Sequence, residues 1–369
     1  MIDNIQRKVS TLHYRLRKLL DMVCSSLNIL GIMSGTSLDG IDLALVSIVF
    51  KAGRYSFEIR KSKTIKYSKE WEERLKKARF LSGVELTKLD VDFGRLIGYE
   101  AKGFCDEPID LIASHGHTVF HQPEVGVTLQ IGSLNEIAVI TGVKTIGDFR
   151  KMDVAKGGQG APLVPIGDML LFGENDYCIN LGGISNISFD LDGERKAMDI
   201  SPCNIVSNYF SNQVGLEFDE NGDIGRSGKI DFSLLKMLSE WKFYRENISS
   251  LGVERIEKDF LPIFDEVKIS TEDKLRTYYE HLGIVIGKEL KKGKTLVTGG
   301  GVKNLMLLDC IKANSNSEVI VPSLQIVDFK EATIFAFLGF LRINNNINVL
   351  ASATGAISDS CSGNLITPL

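Results

Sequence analysis

The sequence predicts two α/β domains side by side. A strand meander followed by helix–strand alternation occurs twice along the chain, the pattern of layered α/β units. A strand–glycine turn–strand unit running from Asn28 to Asp42 recurs about 150 residues later, from Asn180 to Ser188. The length, 369 residues, suits two ordinary domains or one large one. There are 35 glycines and only 8 prolines. That excess suggests turns that let backbone approach something closely, rather than flexible linkers.

Taken in order, residues 28–33 form a short apolar run ending in a glycine- and hydroxyl-rich turn, and 41–50 and 55–67 continue as second and third strands. Residues 69–79 and 84–105 read as helices, the latter with apolar side chains at helical spacing. Short buried strands at 111–114 and 144–148 complete a first domain over 28–175. The second, 176–345, opens with strands at 177–181, 187–191 and 196–200. A helix over 204–214, a long helix over 271–292 and a strand at 295–298 come next. A helix over 302–314, a strand at 318–322 and a helix over 331–342 follow. Residues 346–369 make a C-terminal segment, for which a return to the first domain is one course.

The first 27 residues differ from the rest. Arg7, Lys8, Arg15, Arg17 and Lys18 alternate with Ile5, Val9, Leu12, Leu16, Leu19 and Leu20 in a basic amphipathic helix pattern. Asp21 interrupts the apolar core that a signal peptide needs. A helix packed on the first domain, an extension preceding a start at Met22, and a membrane-surface or partner helix all remain open. None of them bears on the functional argument.

With 43 basic and 47 acidic residues the net charge is −4, which leaves no electrostatic footprint for nucleic acid or an anionic membrane. No apolar run reaches the roughly 18 residues of a spanning helix. The six cysteines lack any C-x-x-C spacing and read as reduced, mostly buried thiols of a cytoplasmic protein.

The most informative turn is Gly35-Thr36-Ser37-Leu38-Asp39-Gly40-Ile41-Asp42. Its glycines allow backbone N–H groups to converge on a small anion, and its hydroxyls add donors. Asp39 and Asp42 would repel a bare phosphate but suit Mg²⁺, held directly or through water. No Walker A spacing occurs. A plain hairpin with acidic surface residues is the alternative. A second cluster, Gly299, Gly300 and Gly301, lies between a strand and a helix, where a nucleotide could rest on bare backbone at a helix N-terminus; a tight packing turn would also explain it. A third, from Lys156 to Pro162 and including Gln159, joins the halves as a hinge, a ligand-approach loop, or both. His115, His117 and His121 invite a zinc reading, but their spacing is not one of the common structural ones, and polar contacts to a ligand in a domain cleft are preferred.

Several of these motifs together resemble the anhydro-N-acetylmuramic acid kinases. They are Gly31 to Asp42, Ser114 to Thr118, Gln130 to Gly132, Gly147 to Pro165, Asn180 to Asn186 and Gly299 to Asn304, in family order across about residues 28 to 357. The resemblance implies the sugar kinase–heat-shock chaperone–actin superfamily: two ribonuclease-H-like domains with ATP and sugar in an interdomain cleft. It implies an enzyme that hydrolyses a 1,6-anhydro ring and phosphorylates the released O6 with ATP and Mg²⁺. The product would be N-acetylmuramic acid 6-phosphate, formed in cell-wall sugar recycling.

Carried over position by position, the resemblance makes Asp199 the general base and puts Glu331 on the sugar. His115, Gln159 and Asn204 are assigned to the substrate as well. The turn 35–42, Gly182, Gly183 and Gly299 to Gly301 fall to the nucleotide, and Asp39 to the metal. This chain departs from the family pattern at Ile200-Ser201-Pro202-Cys203-Asn204, where a Thr-Gly-Pro-Gly-Asn-like turn is usual. Val253 stands where an arginine is expected, and His117 where a glutamine is usual. The altered stretch at 249–254, which contains Val253, motivates the alternative of a kinase for another 1,6-anhydrosugar such as levoglucosan. An actin- or chaperone-like ATPase without a sugar is the rival from another class. A small anhydrosugar is the expected partner, and a homodimer is left open.

Overall fold

The computed structural model describes residues 25–35, 38–246 and 250–368. The basic helix expected over residues 1–27 thus lies outside the described residues except at its end, as do Thr36, Ser37 and Ser249. The described residues up to Leu171, together with those from Glu331 onward, form one compact unit, and Phe172–Lys330 form the other.

The first unit opens with the antiparallel meander β1 (Ser25–Ser34), β2 (Ile41–Lys51) and β3 (Arg54–Ile65). Helices α1 (Lys69–Lys77) and α2 (Gly83–Phe104) lead to β4 (Leu111–Ser114), which runs parallel to β1. A hairpin of β5 (His117–Gln122) and β6 (Val127–Ile131) follows, then α3 (Leu134–Thr141) and β7 (Thr145–Gly147), parallel to β4.

The second unit repeats the plan. The meander β8 (Tyr177–Leu181), β9 (Ile184–Leu191) and β10 (Glu194–Pro202) precedes α4 (Asn204–Gln213). Short helices intervene before the long α5 (Thr271–Glu289). Then come β11 (Lys294–Thr298), α6 (Leu305–Asn314) and β12 (Glu318–Ile320). Finally α7 (Leu324–Ile343) carries the chain into the first unit, where β13 (Asn364–Ile366) pairs antiparallel with β7.

The strand orders are β3-β2-β1-β4-β7-β13 and β10-β9-β8-β11-β12. In each of these sheets the first five strands in chain order therefore stand as 3-2-1-4-5 with only the second reversed, which is the ribonuclease-H-like arrangement. The fold is α/β, with two such units.

Local chemistry explains the layers. α2 begins with a capping box in which Ser82 and Glu85 satisfy each other's backbone N–H. Its Leu89, Phe93, Ile97, Ala101 and Phe104 make a buried stripe against Leu30, Ile32, Leu43 and Leu45. Strand alternation turns Gly31 to the opposite face of the sheet, onto α7. A Cβ at Gly31 would overlap the carbonyl oxygen of Ala332, and one at Gly339 would stand 2.7 Å from the Ala113 Cβ. Helix and sheet touch there backbone to backbone.

This contact also corrects the domain boundary. The second domain was expected to extend to residue 345, yet the chain changes unit at Glu331, inside α7. The reason is burial: Ala332, Ile334, Phe335, Ala336, Phe337, Leu338, Phe340 and Leu341 are covered, an apolar run that belongs to the first sheet. The hairpin β5–β6 and helix α3 were not expected, because the alternation at 117–122 is broken by histidines. Cys178, Cys203 and Cys310 are buried free thiols. Among the described residues no helix is long and apolar enough to cross a membrane.

Two glycine substitutions should therefore act in opposite directions. Gly31→Ala, forced against the α7 backbone, should cost about 3 kcal/mol or more. Gly103→Ala, on the exposed side of α2 with open space around it, should add about 0.5–1 kcal/mol by restricting the unfolded chain. Urea unfolding of both variants checks the pair, and equal midpoints would contradict the close approach.

Candidate active site

The turn between β1 and β2 opens the first unit. The Leu38 N–H donates to the Gly35 carbonyl at 3.4 Å, and Leu38 itself has φ 62°, a conformation that costs a branched side chain energy. Asp39 is exposed. Gly40 lies against the Ile65 carbonyl, and Ile41 is fully buried in the sheet core, so its side chain supports the turn from below. Asp42 is half-buried and accepts the Thr64 hydroxyl. Exposed Asp39 is thus the carboxylate of this turn free to face solution. Among the described residues no group of three or more His, Cys, Asp or Glu gathers as a metal cage. A single turn carboxylate fits Mg²⁺ that arrives with phosphates and keeps most of its waters.

In the second unit the two glycine turns meet. Gly182 and Gly183 connect β8 to β9, and Gly299 to Gly301 follow β11, which runs parallel to β8. Gly299 has φ 86°, and a Cβ on it would collide with Asn180 Oδ1 and, at 2.8 Å, with the Leu181 backbone. Glycine is required there by conformation and by space. Asn204, expected on the sugar side, stands between these turns: its Nδ2 donates to the Leu181 carbonyl at 3.0 Å, and its N–H to Gly182 O at 3.0 Å. A Cβ added at Gly300 would meet only Asn204 Nδ2, at 3.7 Å. The result is a surface of bare backbone leading to Asn304, which caps α6 by accepting from Leu307 N at 2.9 Å.

Asp199 lies on β10 opposite Asn186, and the ladder slips between Asp199 and Ser201, leaving Ile200 as the extra residue of a bulge. Bulges bend a strand and redirect side chains next to functional sites. The Asp199 carboxylate accepts the Leu251 N–H at 2.8 Å. Burial pushes its pKa up from the ordinary aspartate value, and that hydrogen bond draws it partly back. A cavity of about 230 Å³ beside it is walled by Asp199, Ser239, Tyr244, Glu246 and Lys288, among others. A half-buried carboxylate with raised proton affinity, next to open space, can take a proton from water.

In the first unit the cluster is built around Arg150, which the sequence reading did not single out. Its Nε and one terminal nitrogen donate to His115 Nε2 at 3.0 and 2.8 Å, and the other donates to Gly160 O at 2.6 Å. His115 Nδ1 faces Gly116 O at 2.8 Å, so it carries the proton and Nε2 accepts. Burial first, then the Arg150 charge, hold His115 well below its ordinary pKa, and the ring stays neutral. Burial also lowers Arg150 to about 10, while the Glu331 carboxylate opposes the shift. The guanidinium therefore remains charged at neutral pH.

Buried Asp153 accepts Gly160 N at 2.8 Å and the Thr354 hydroxyl at 2.7 Å, fixing the glycine loop that offers the Gly160 carbonyl. Gln159, on that loop, is exposed, and its N–H donates to Thr354 O at 2.9 Å. Glu331 is exposed at the point where α7 enters the unit. His115, Gln159 and Glu331 are thus gathered around Arg150 and its loop. A further cavity of about 400 Å³ is walled by Asp90, Ser114, Gln130, Asp148 and Lys151, among others. The signal that could have found Arg150 is its place as the arginine of the 147–165 block. Its carboxylate neighbour lies nearly half the chain away, where no spacing rule reaches.

Comparison with known proteins agrees with these motifs. The family model described as anhydro-N-acetylmuramic acid kinase matches residues 27–368. An anhydro-N-acetylmuramic acid kinase of Pseudoalteromonas translucida is 33% identical over 84% of this chain and 88% of its own. One from Clostridioides difficile is 32% identical over 92% of this chain and 97% of its own. Solved structures are more distant. The activator of 2-hydroxyisocaproyl-CoA dehydratase from Clostridium difficile, with bound ADPNP, is 14% identical and covers 85% of this chain and 94% of its own at a TM-score of 0.41. The fold assignment accordingly rests on the strand orders. From the full-length match and the identity of these relatives, the chain belongs to the anhydro-N-acetylmuramic acid kinase family.

Proposed function

We propose that the protein is an ATP-dependent kinase that opens the ring of 1,6-anhydro-N-acetylmuramic acid with water and phosphorylates the released O6. The products are N-acetylmuramic acid 6-phosphate and ADP, and the reaction serves cell-wall sugar recycling in the cytoplasm. The observation that carries this reading, beside the family, is Asp199: a half-buried carboxylate of raised pKa, aimed by a bulge, beside a cavity.

In this reading Asp199 takes a proton from water as the water oxygen bonds to C1 of the sugar. The C1–O6 bond breaks, and O6 attacks the γ-phosphorus, releasing ADP. Capturing O6 as a phosphate ester makes a poor alkoxide leaving group workable. Charged Arg150, with Glu331 and neutral His115 beside it, orients the polar groups of the sugar. The glycine backbone at 182–183 and 299–301, with Asn204, receives the nucleotide. Mg²⁺ brought with ATP supplies charge neutralisation at the phosphates, and Asp39 is the residue that would hold it, directly or through water.

Asp199→Asn keeps shape and hydrogen bonding but not basicity, so kcat should fall roughly 10²–10⁴-fold with nucleotide affinity nearly unchanged. Turnover within about threefold of the parent, well short of that range, would sink the assignment. The pH profile carries the same information. Asp199 works only when deprotonated, and its pKa is raised, so kcat should drop on the acid side with a midpoint above the ordinary aspartate value. That limb should be absent from the residual activity of Asp199→Asn.

Asp39→Asn should raise the Mg²⁺ concentration needed for half-maximal turnover while leaving the unfolding midpoint unchanged, because an exposed turn aspartate contributes little to stability. An unaltered Mg²⁺ dependence would remove Asp39 from the site.

A further inference from the structure

The departure from the family turn after Asp199 creates a polar chain that a glycine turn could not make. Where the family pattern has Gly-Pro-Gly, this protein has Ser201, Pro202 and Cys203, all buried. The Ser201 hydroxyl lies 2.7 Å from Tyr244 Oη, and Tyr244 Oη lies 2.9 Å from His281 Nε2. His281 Nδ1 is 3.4 Å from Ser239 Oγ, which itself donates to Leu235 O at 2.8 Å.

These contacts run in one direction. Burial drives His281 down to about 3, so the ring is neutral, with one donor and one acceptor. Ser239 has committed its proton to Leu235, so its oxygen accepts from Nδ1–H. Nε2 therefore accepts from Tyr244, and the Tyr244 oxygen accepts from Ser201. Every member is satisfied, as a polar chain that passes through buried Ser201 and His281 must be. The same turn is held from a second side, since Tyr278 Oη donates to Pro202 O at 2.7 Å. Tyr244 also walls the cavity that Asp199 walls.

We propose that Tyr244, held by His281, is a positioning residue for Asp199: through Ser201 it pins the bulge that aims the carboxylate. This inference rests on Asp199 being the base. Tyr244 touches neither sugar nor nucleotide in this role. It restricts β10 at the point where the ladder has slipped and backbone pairing alone is weakest. A small misplacement of a catalytic group costs rate more than binding, because the near-attack geometry is lost while the contacts to substrate remain.

The test is steady-state kinetics of the full-length protein with 1,6-anhydro-N-acetylmuramic acid and Mg²⁺-ATP. Tyr244→Phe should lower kcat about ten-fold, with both KM values within about twofold of the parent. Ser201→Ala breaks the same bond from the strand side, leaves the aromatic packing intact, and should give a loss of the same order. In the Asp199→Asn background neither substitution should reduce kcat further, since there is no base left to aim.

If both variants keep kcat within twofold while Asp199→Asn shows its full loss, the positioning role is overturned and the base stands. Losses that multiply with Asp199→Asn, or that come with raised KM values and a lowered Tm, mark a purely structural role and overturn it as well. Near-normal turnover of Asp199→Asn alone removes the base assignment, and this inference with it.

Discussion

The parallel pairing at the centre of each sheet is the constraint on which the rest depends. β1 lies beside β4 and β8 beside β11, each pair running in the same direction. Parallel neighbours bring their C-terminal ends to one edge of the sheet, so the turns that follow them become neighbours in space. In the second unit this carries Gly182–Gly183 next to Gly299–Gly301, though the two runs lie far apart in sequence. In the first it sets the turn after β1 beside His115, whose N–H donates to Ile32 O at 3.0 Å. The connections needed to return each strand to the same edge are the helices that bury the sheet faces.

Desolvation then decides what the clustered side chains can do. Three groups near neutral chemistry are moved by burial, each in the direction that removes charge: Asp199 upward, His115 and Arg150 downward. The outcomes differ because the starting points differ. Asp199 gains proton affinity and becomes a better base, whereas His115 is left neutral and serves as an acceptor. Arg150 begins so high that it stays charged, with the Glu331 carboxylate acting in its favour. One physical effect thus yields a base, an acceptor and a cation.

One of the chain's departures from the family pattern, the turn at 200–204, falls in the second unit next to Asp199. Replacing a glycine turn by Ser201-Pro202-Cys203 exchanges backbone freedom for side-chain anchorage. Tyr244 and Tyr278 supply that anchorage; Tyr278 is fully buried and Tyr244 partly buried among the aromatic side chains of Trp241, Phe243, Phe260 and Phe264. The bulge is therefore held by an aromatic core as well as by its strand ladder.

Much of the architecture was legible in the letters. Alternation with period 2 marked β3, an apolar stripe with helical spacing marked α2, and glycines placed the turns after β1, β8 and β11. These features are local, since each depends on residues within one or two turns of chain. The resemblance to the family added roles for Asp199 and Glu331 that no spacing contains. What only the tertiary structure decided was long-range. It sent α7 into the first unit, because its apolar run fits against Gly31 and Ala113. It brought Arg150 to His115 and within reach of the Glu331 charge, moved Asn204 among the glycine turns, and slipped β10 by one residue at Asp199. Burial and pairing belong to a side chain's surroundings, and surroundings are assembled from segments that the sequence holds far apart.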